Sequence, residues 1–133
     1  MYVLSVGGGK TIRGTLLLFK PREMQPIVHK IIAVPTVEQL RRMIGGLVEL
    51  VPDFDSIEYD GEVRDCVVLC SACSKRQRLP LNACATVLWN HARRRQGHPP
   101  NPDFLAGPVV VVFDDRERIE VSAKPSSLQI VSS

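Results

Sequence analysis

The side chains with chemical potential in this sequence are its four cysteines, three histidines and several clusters of acids and bases. Cys70-Ser71-Ala72-Cys73 has the spacing of half a zinc site, with Cys66 and Cys84 as further thiols. Cys66 and Cys70, however, bound one apolar run that as a strand separates them by about 13 Å, too far for one ion. The zinc set that survives this test is Cys70, Cys73, Cys84 and His91. The favoured alternative is that these are reduced thiols buried as small hydrophobes, with no metal and no cofactor. A cysteine nucleophile needs a base within hydrogen-bond reach. Cys84 and His91 share a predicted helix, but seven residues of helix span about 10 Å, which leaves only His29 or His98 to approach a thiol through the fold.

Other constellations are weaker. Gly7-Gly8-Gly9-Lys10-Thr11 lacks the glycine that a phosphate-binding loop requires six positions before its lysine; Leu4 stands there, and a strand rather than a helix follows. The acids Asp53, Asp55, Asp60, Asp65, Asp114 and Asp115 fall in predicted loops, where solvated carboxylates normally sit. Their spacing matches neither a calcium loop nor an acid/base pair. Lys75, Arg76 and Arg78 precede a predicted helix, and Arg93, Arg94 and Arg95 end it. The two clusters are therefore nearly 20 Å apart. Arg76, Arg78, Arg93 and Arg94 are candidate contacts for a phosphate or an acidic partner, against the plainer reading of helix-end complementarity and solubility.

The elements that must position these residues read clearly in places. Thr15–Phe19 and Ile27–Val34 are strand candidates, joined by a hairpin loop over Lys20–Pro26. Thr36 with Gln39 fits a capping box. The helix that follows carries Val37, Leu40 and Ile44 on one face and the pair Glu38/Arg42 on the other, and Gly45-Gly46 ends it. Leu47–Val51 is a strand stopped by Pro52, and Ile57–Tyr59 is an edge-strand candidate. Cys66–Cys70 is apolar throughout, as in a central strand. Asn82 caps a second helix over Ala83–Arg95, with Cys84, Leu88 and Ala92 along its buried stripe, Trp89 at the border and Gly97 as the stop. After the rigid His98–Pro102 linker, Pro108–Phe113 is the strongest strand, and Ile119–Val121 is a further edge candidate. Strands and helices do not alternate regularly. The expected fold is therefore α+β, with a single mixed or antiparallel sheet and two main helices packed on one face.

The 133 residues suit one small domain, with a lead-in over 1–14, a core over 15–122 and a fraying tail over 123–133. A net charge of +3 and one tryptophan argue against nucleic-acid binding, since they supply neither a strongly basic face nor an aromatic stacking platform. No apolar run reaches the roughly 20 residues of a membrane span, and the short Met1–Val6 stretch does not fit a signal peptide. The expectation is a bacterial cytoplasmic protein with no membrane partner.

Three strings, in order, carry a resemblance. Leu40–Gly46 with Leu47–Pro52 is similar to the motif LQ..VGGYIE.VP. Leu79-Pro80-Leu81-Asn82-Ala83 is similar to GLP.N..A. Leu105–Val111 is similar to a closing (I/V)(V/A)G.VV(V/F) strand. The chain thus resembles the domain of unknown function 3846 family over about residues 27–113. It departs from the pattern at Leu47, where tyrosine often stands, and at Ser71–Gln77, which replaces an acidic-glycine hairpin. The resemblance implies a phage or mobile-element setting and supplies no catalytic residues. On that context the expected function is a non-catalytic accessory protein that sequesters a small polar or nucleotide-type ligand to counter host defence, with Gly45, Gly46, Glu49, Asn82 and Gly107 as its rim. Caps and turns are the competing explanation for each of those five. The alternative is an inhibitor or adaptor that binds a host protein through a sheet edge or the basic helix. A small zinc or thiol enzyme and a nucleic-acid binder follow. A homo-oligomer is compatible with all four.

Overall fold

The computed structural model describes residues 11–115. The Gly7–Lys10 turn, the expected edge strand at Ile119–Val121 and the tail from Lys124 lie outside the described residues. In chain order the elements are β1 (Thr11–Phe19), β2 (Ile27–Ala33), α1 (Val37–Ile44), β3 (Val48–Leu50), β4 (Ser56–Tyr59), β5 (Glu62–Asp65), β6 (Val67–Ser71), α2 (Ala83–Arg95) and β7 (Val109–Asp114). Five strands form one sheet in the order β2-β1-β7-β6-β3, and every neighbouring pair is antiparallel. The last strand in sequence thus sits in the middle, between β1 and β6.

Both ends of α1 follow from local chemistry. The Thr36 hydroxyl accepts from the Gln39 backbone N–H at 3.1 Å, and the Gln39 amide oxygen accepts from the Thr36 N–H at 2.9 Å. At the other end Gly45 adopts φ 88°, and its N–H returns to Arg41 O, the left-handed cap for which glycine carries no steric penalty.

The two helices lie on opposite faces of the sheet, which corrects the expectation that they share one. Leu40 and Ile44 of α1 pack with Leu16, Leu18, Val67, Leu69, Val110 and Val112. Ala85, Trp89 and Ala92 of α2 pack with Leu17, Phe19, Val68, Cys70, Val109, Val111 and Phe113. Alternate residues of the same strands therefore feed two different cores. The physical reason lies in β6 and β7, whose residues are buried without exception. A strand with no polar face needs cover on both sides, whereas a strand with one wet face alternates. Each fully buried Leu, Val or Phe contributes about 1.5–3 kcal/mol, so the central strands dominate the fold's stability.

A second correction concerns Asp53–Asp65. Instead of one edge strand it forms a separate two-stranded sheet, in which β4 pairs with β5 antiparallel from Ser56↔Asp65 to Tyr59↔Glu62. Its turn residues Asp60 and Gly61 both have positive φ, 55° and 82°, as a two-residue Asp-Gly hairpin turn requires. Tyr59 packs against the α2-side core, its ring centre 5.3 Å from that of Phe113. Trp89, expected at the border of the α2 stripe, is buried within that core, and its indole N–H donates to Pro52 O at 2.8 Å.

Candidate functional site

Asn82 and Gly107, two of the expected ligand-rim residues, are engaged inside the protein. Asn82 is fully buried. Its amide NH2 donates to Phe19 O at 2.9 Å and to Gly107 O at 2.8 Å, while its side-chain oxygen accepts the Ala85 N–H at 3.2 Å. One side chain thereby ties the end of β1, the start of α2 and the entry to β7. Gly107 has φ 76°, and its N–H donates to Pro80 O at 2.8 Å. A Cβ there would stand 2.7 Å from Leu79 Cδ1. The Leu79–Ala83 string and the Gly107 turn are thus two halves of one latch, completed by a bridge between Leu81 and Ala106. Gly45 and Gly46 follow the end of α1.

Glu49 has a different setting. On β3 it pairs across the sheet with Cys70, and both line a cleft of about 270 Å³. The rest of the wall comes from Val51 and Pro52 after β3, Ser71 at the end of β6 with Ala72, Ser74, Lys75 and Arg76 in the turn beyond it, Asp103–Leu105 before β7, and Trp89 of α2. The turn is shaped by backbone bonds from Gln77 N to Cys73 O and from Leu79 N to Ser74 O, both 2.9 Å. Ser71 also receives the Cys73 N–H on its hydroxyl at 3.2 Å.

The cleft carries mixed charge. Lys75, in the turn after β6, forms a salt bridge with Asp103, before β7, and its ammonium lies 4.6 Å from the centre of the Phe104 ring. That hydrogen bond holds the Asp103 carboxyl below its ordinary value, against the smaller effect of its burial. Arg76 and Glu49, both lining the cleft, make no ion pair among the described residues. Such a surface offers two cations, two carboxylates, an aromatic edge and serine hydroxyls within one small concavity.

Burial acts on three of the four thiols. Burial, with a smaller push from Glu49, moves the Cys70 thiol up to about 11, so it is protonated at neutral pH. Burial also raises Cys66, helped by Asp55 and Asp65 and opposed by Arg95, and burial alone raises Cys84. Cys84 donates weakly to Met24 O at 3.8 Å, and His91 faces solvent on α2. Among the described residues no three His, Cys, Asp or Glu side chains come together as a metal site, so the set Cys70, Cys73, Cys84 and His91 is not assembled.

The basic clusters divide as well. Arg93 bonds Asp53 at 3.0 Å and Pro99 O at 3.2 Å, and Arg95 bonds Ser56 at 2.9 Å, so these residues tie the β4–β5 hairpin to the end of α2. Arg78 and Arg94 are exposed, and neither lines the cleft. Sequence reasoning therefore reached Glu49 and Arg76 and missed Ser71, Ser74, Asp103 and Phe104 as cleft residues. Lys75 was visible as part of a basic cluster, but its partner Asp103 is 28 residues away and no local signal joins them. No helix among the described residues is long and apolar enough to cross a membrane. Comparison with protein-family models, curated proteins and solved structures finds no match.

Proposed function

We propose that this chain is a non-catalytic binding module that captures a small polar, nucleotide-type ligand in the cleft between Glu49, Arg76 and Phe104. The observation that carries this reading is the coincidence, in one concavity, of Arg76 and Glu49, neither of them ion-paired among the described residues, with an aromatic ring. Arg76 suits a phosphate or carboxylate, Glu49 suits an amino or hydroxyl donor, and Phe104, with Lys75 over its ring, adds an apolar contact. At about 270 Å³ the cleft lies just below the roughly 300–1,000 Å³ of drug-sized sites, a size for one nucleotide moiety. The raised Cys70 thiol supports binding without covalent chemistry.

The resemblance to the domain of unknown function 3846 family adds the setting: a phage or mobile-element accessory protein that withholds a signal nucleotide from host defence in the bacterial cytoplasm. Its shared Leu-Pro-x-Asn and Gly-x-Val-Val strings fall on the Asn82–Gly107 latch, so they support a common fold more than a common ligand. Trp89 is the chain's one tryptophan and lines the cleft, which makes its emission a direct reporter. A fluorescence titration with mononucleotides and signalling nucleotides should give a saturable change that Arg76→Ala and Glu49→Ala each weaken. A flat response across the panel would count against the reading.

A second reading, an inhibitor or adaptor acting on a host protein, draws on β2. That strand is an outer strand of the sheet, and Ile32 upon it is 78% exposed, with Met24 in the preceding loop 81% exposed. Unpaired strand edges with apolar side chains are templates for strand addition. Retention of a host protein by the wild-type chain, abolished by Ile32→Lys, would favour this reading.

A further inference from the structure

The Lys75–Asp103 contact places the protein's own anion against a cation in the wall of the cleft. The Asp103 carboxylate receives the Lys75 ammonium and, on the same oxygen, the Phe104 backbone N–H at 2.8 Å. An oxygen bearing negative charge is thus already recognised at this point by an ammonium and a main-chain donor. The next residue, Arg76, lines the same cleft and has no acidic partner among the described residues.

Resting on the cleft as a ligand site, we infer that Asp103 is a built-in occupant of a phosphate subsite formed by Lys75, Arg76 and the Phe104 N–H, and that a phosphomonoester displaces it. A carboxylate offers two oxygens and leaves Arg76 unserved. A phosphate offers three peripheral oxygens and a second charge, enough for the ammonium, the guanidinium and the backbone donor together. Displacement is easy because the Lys75 and Asp103 side chains are 46% and 48% exposed, and an exposed ion pair is weak. Lys75 stays in the cleft wall after the exchange because its ammonium lies over the Phe104 ring. Asp103 sits in the segment between α2 and β7 rather than in either element, so its side chain can turn out to solvent.

Glu49 shapes the selectivity. It lines the same cleft and repels a bare anion, so a phosphate carried on a group with hydrogen-bond donors is preferred to phosphate alone. The Lys75 bond keeps Asp103 ionised throughout the neutral range. The competing anion therefore does not change with pH there, while a phosphomonoester gains its second charge near pH 6. Binding should tighten as pH rises through that value.

The test is titration of the full chain with inorganic phosphate and with adenosine monophosphate, followed by backbone amide shifts and calorimetry. Asp103→Asn keeps the acceptor for Phe104 N–H and removes the competing charge, so both ligands should bind about three- to fivefold tighter. Asp60→Asn, in the hairpin turn away from the cleft, makes the same change in net charge and should leave affinity within about twofold. Lys75→Gln should weaken both ligands about tenfold, and adenosine monophosphate should outcompete phosphate. If a nucleotide shifts cleft amides but Asp103→Asn binds no more tightly than Asp60→Asn, this inference fails and the cleft remains a ligand site. If neither ligand shifts cleft amides in any variant at millimolar concentration, the cleft reading fails with it.

Discussion

Replacing Asn82 tests the latch that joins the two motif strings. Its side chain satisfies three backbone groups at once: Phe19 O, Gly107 O and Ala85 N–H. Asn82→Ala loses the helix cap, at about 1 kcal/mol, and strands two buried carbonyls, at about 1 kcal/mol or more each. The expected loss is about 3 kcal/mol, a large part of a stability that for such domains is about 5–15 kcal/mol. Asn82→Asp separates cap from latch. Aspartate caps a helix as well as asparagine does, yet its second oxygen would face two carbonyl oxygens that now receive N–H donors at 2.8–2.9 Å. Asn82→Asp should therefore be destabilised at pH 7 at least as much as Asn82→Ala. It should recover on acidification, because the folded state raises this carboxyl's affinity for its proton and the protonated form can again donate. Urea unfolding followed by Trp89 emission measures all three proteins. An Asn82→Asp unfolding free energy within about 0.5 kcal/mol of wild type at pH 7 would show that capping alone explains the residue, and the latch account would be wrong.

Three further outcomes follow from particular contacts. Gly107→Ala must hold a Cβ at φ 76° and 2.7 Å from Leu79 Cδ1, and should cost about 1–2 kcal/mol in the same unfolding assay. With its thiol pushed up to about 11, Cys70 should have about a hundredfold less thiolate at neutral pH than an ordinary cysteine. Its alkylation, mapped by peptide mass, should climb about tenfold per pH unit up to pH 10, whereas labelling of Cys70 at pH 7 as fast as a free thiol would contradict the burial assigned to it. Asp65 is raised by burial and then by Asp55, so its charge opposes folding at pH values above its folded pKa. Asp65 is exposed on β5, so Asp65→Asn should raise the urea midpoint at pH 7 only slightly, and the advantage should vanish as pH falls into the ordinary carboxylate range and the wild-type carboxyl takes up its proton.

Local chemistry was legible wherever it is self-contained. The Thr36–Gln39 box, the Gly45 cap and the Asn82-capped helix over Ala83–Arg95 all stand where residue types and spacing put them. The Asp60-Gly61 hairpin is also written locally, in a turn dipeptide between two short alternating segments, but the acidic composition of that stretch masks the signal. The faces used by the helices were harder to see. The unbroken apolar runs in β6 and β7 did announce cover on both sides, but assigning α1 to one side and α2 to the other depends on which strands neighbour which.

The cleft was least legible because its walls come from segments far apart in sequence. Glu49 meets Cys70 through strand register, and Lys75 meets Asp103 through the path of the chain between α2 and β7. Asn82 shows the converse error. An asparagine in a motif reads equally as a ligand contact or as a cap, and only the positions of Phe19 O and Gly107 O distinguish the two.

Native mass spectrometry of the full chain purified from a bacterial strain, followed by denaturation and identification of whatever is released, tests ligand capture most directly. A stoichiometric adduct of nucleotide size carrying a phosphate is expected, diminished in Arg76→Ala and retained in Arg94→Ala. A bare chain mass that stays bare after incubation with a nucleotide extract, or an adduct indifferent to Arg76, would contradict ligand capture in this cleft.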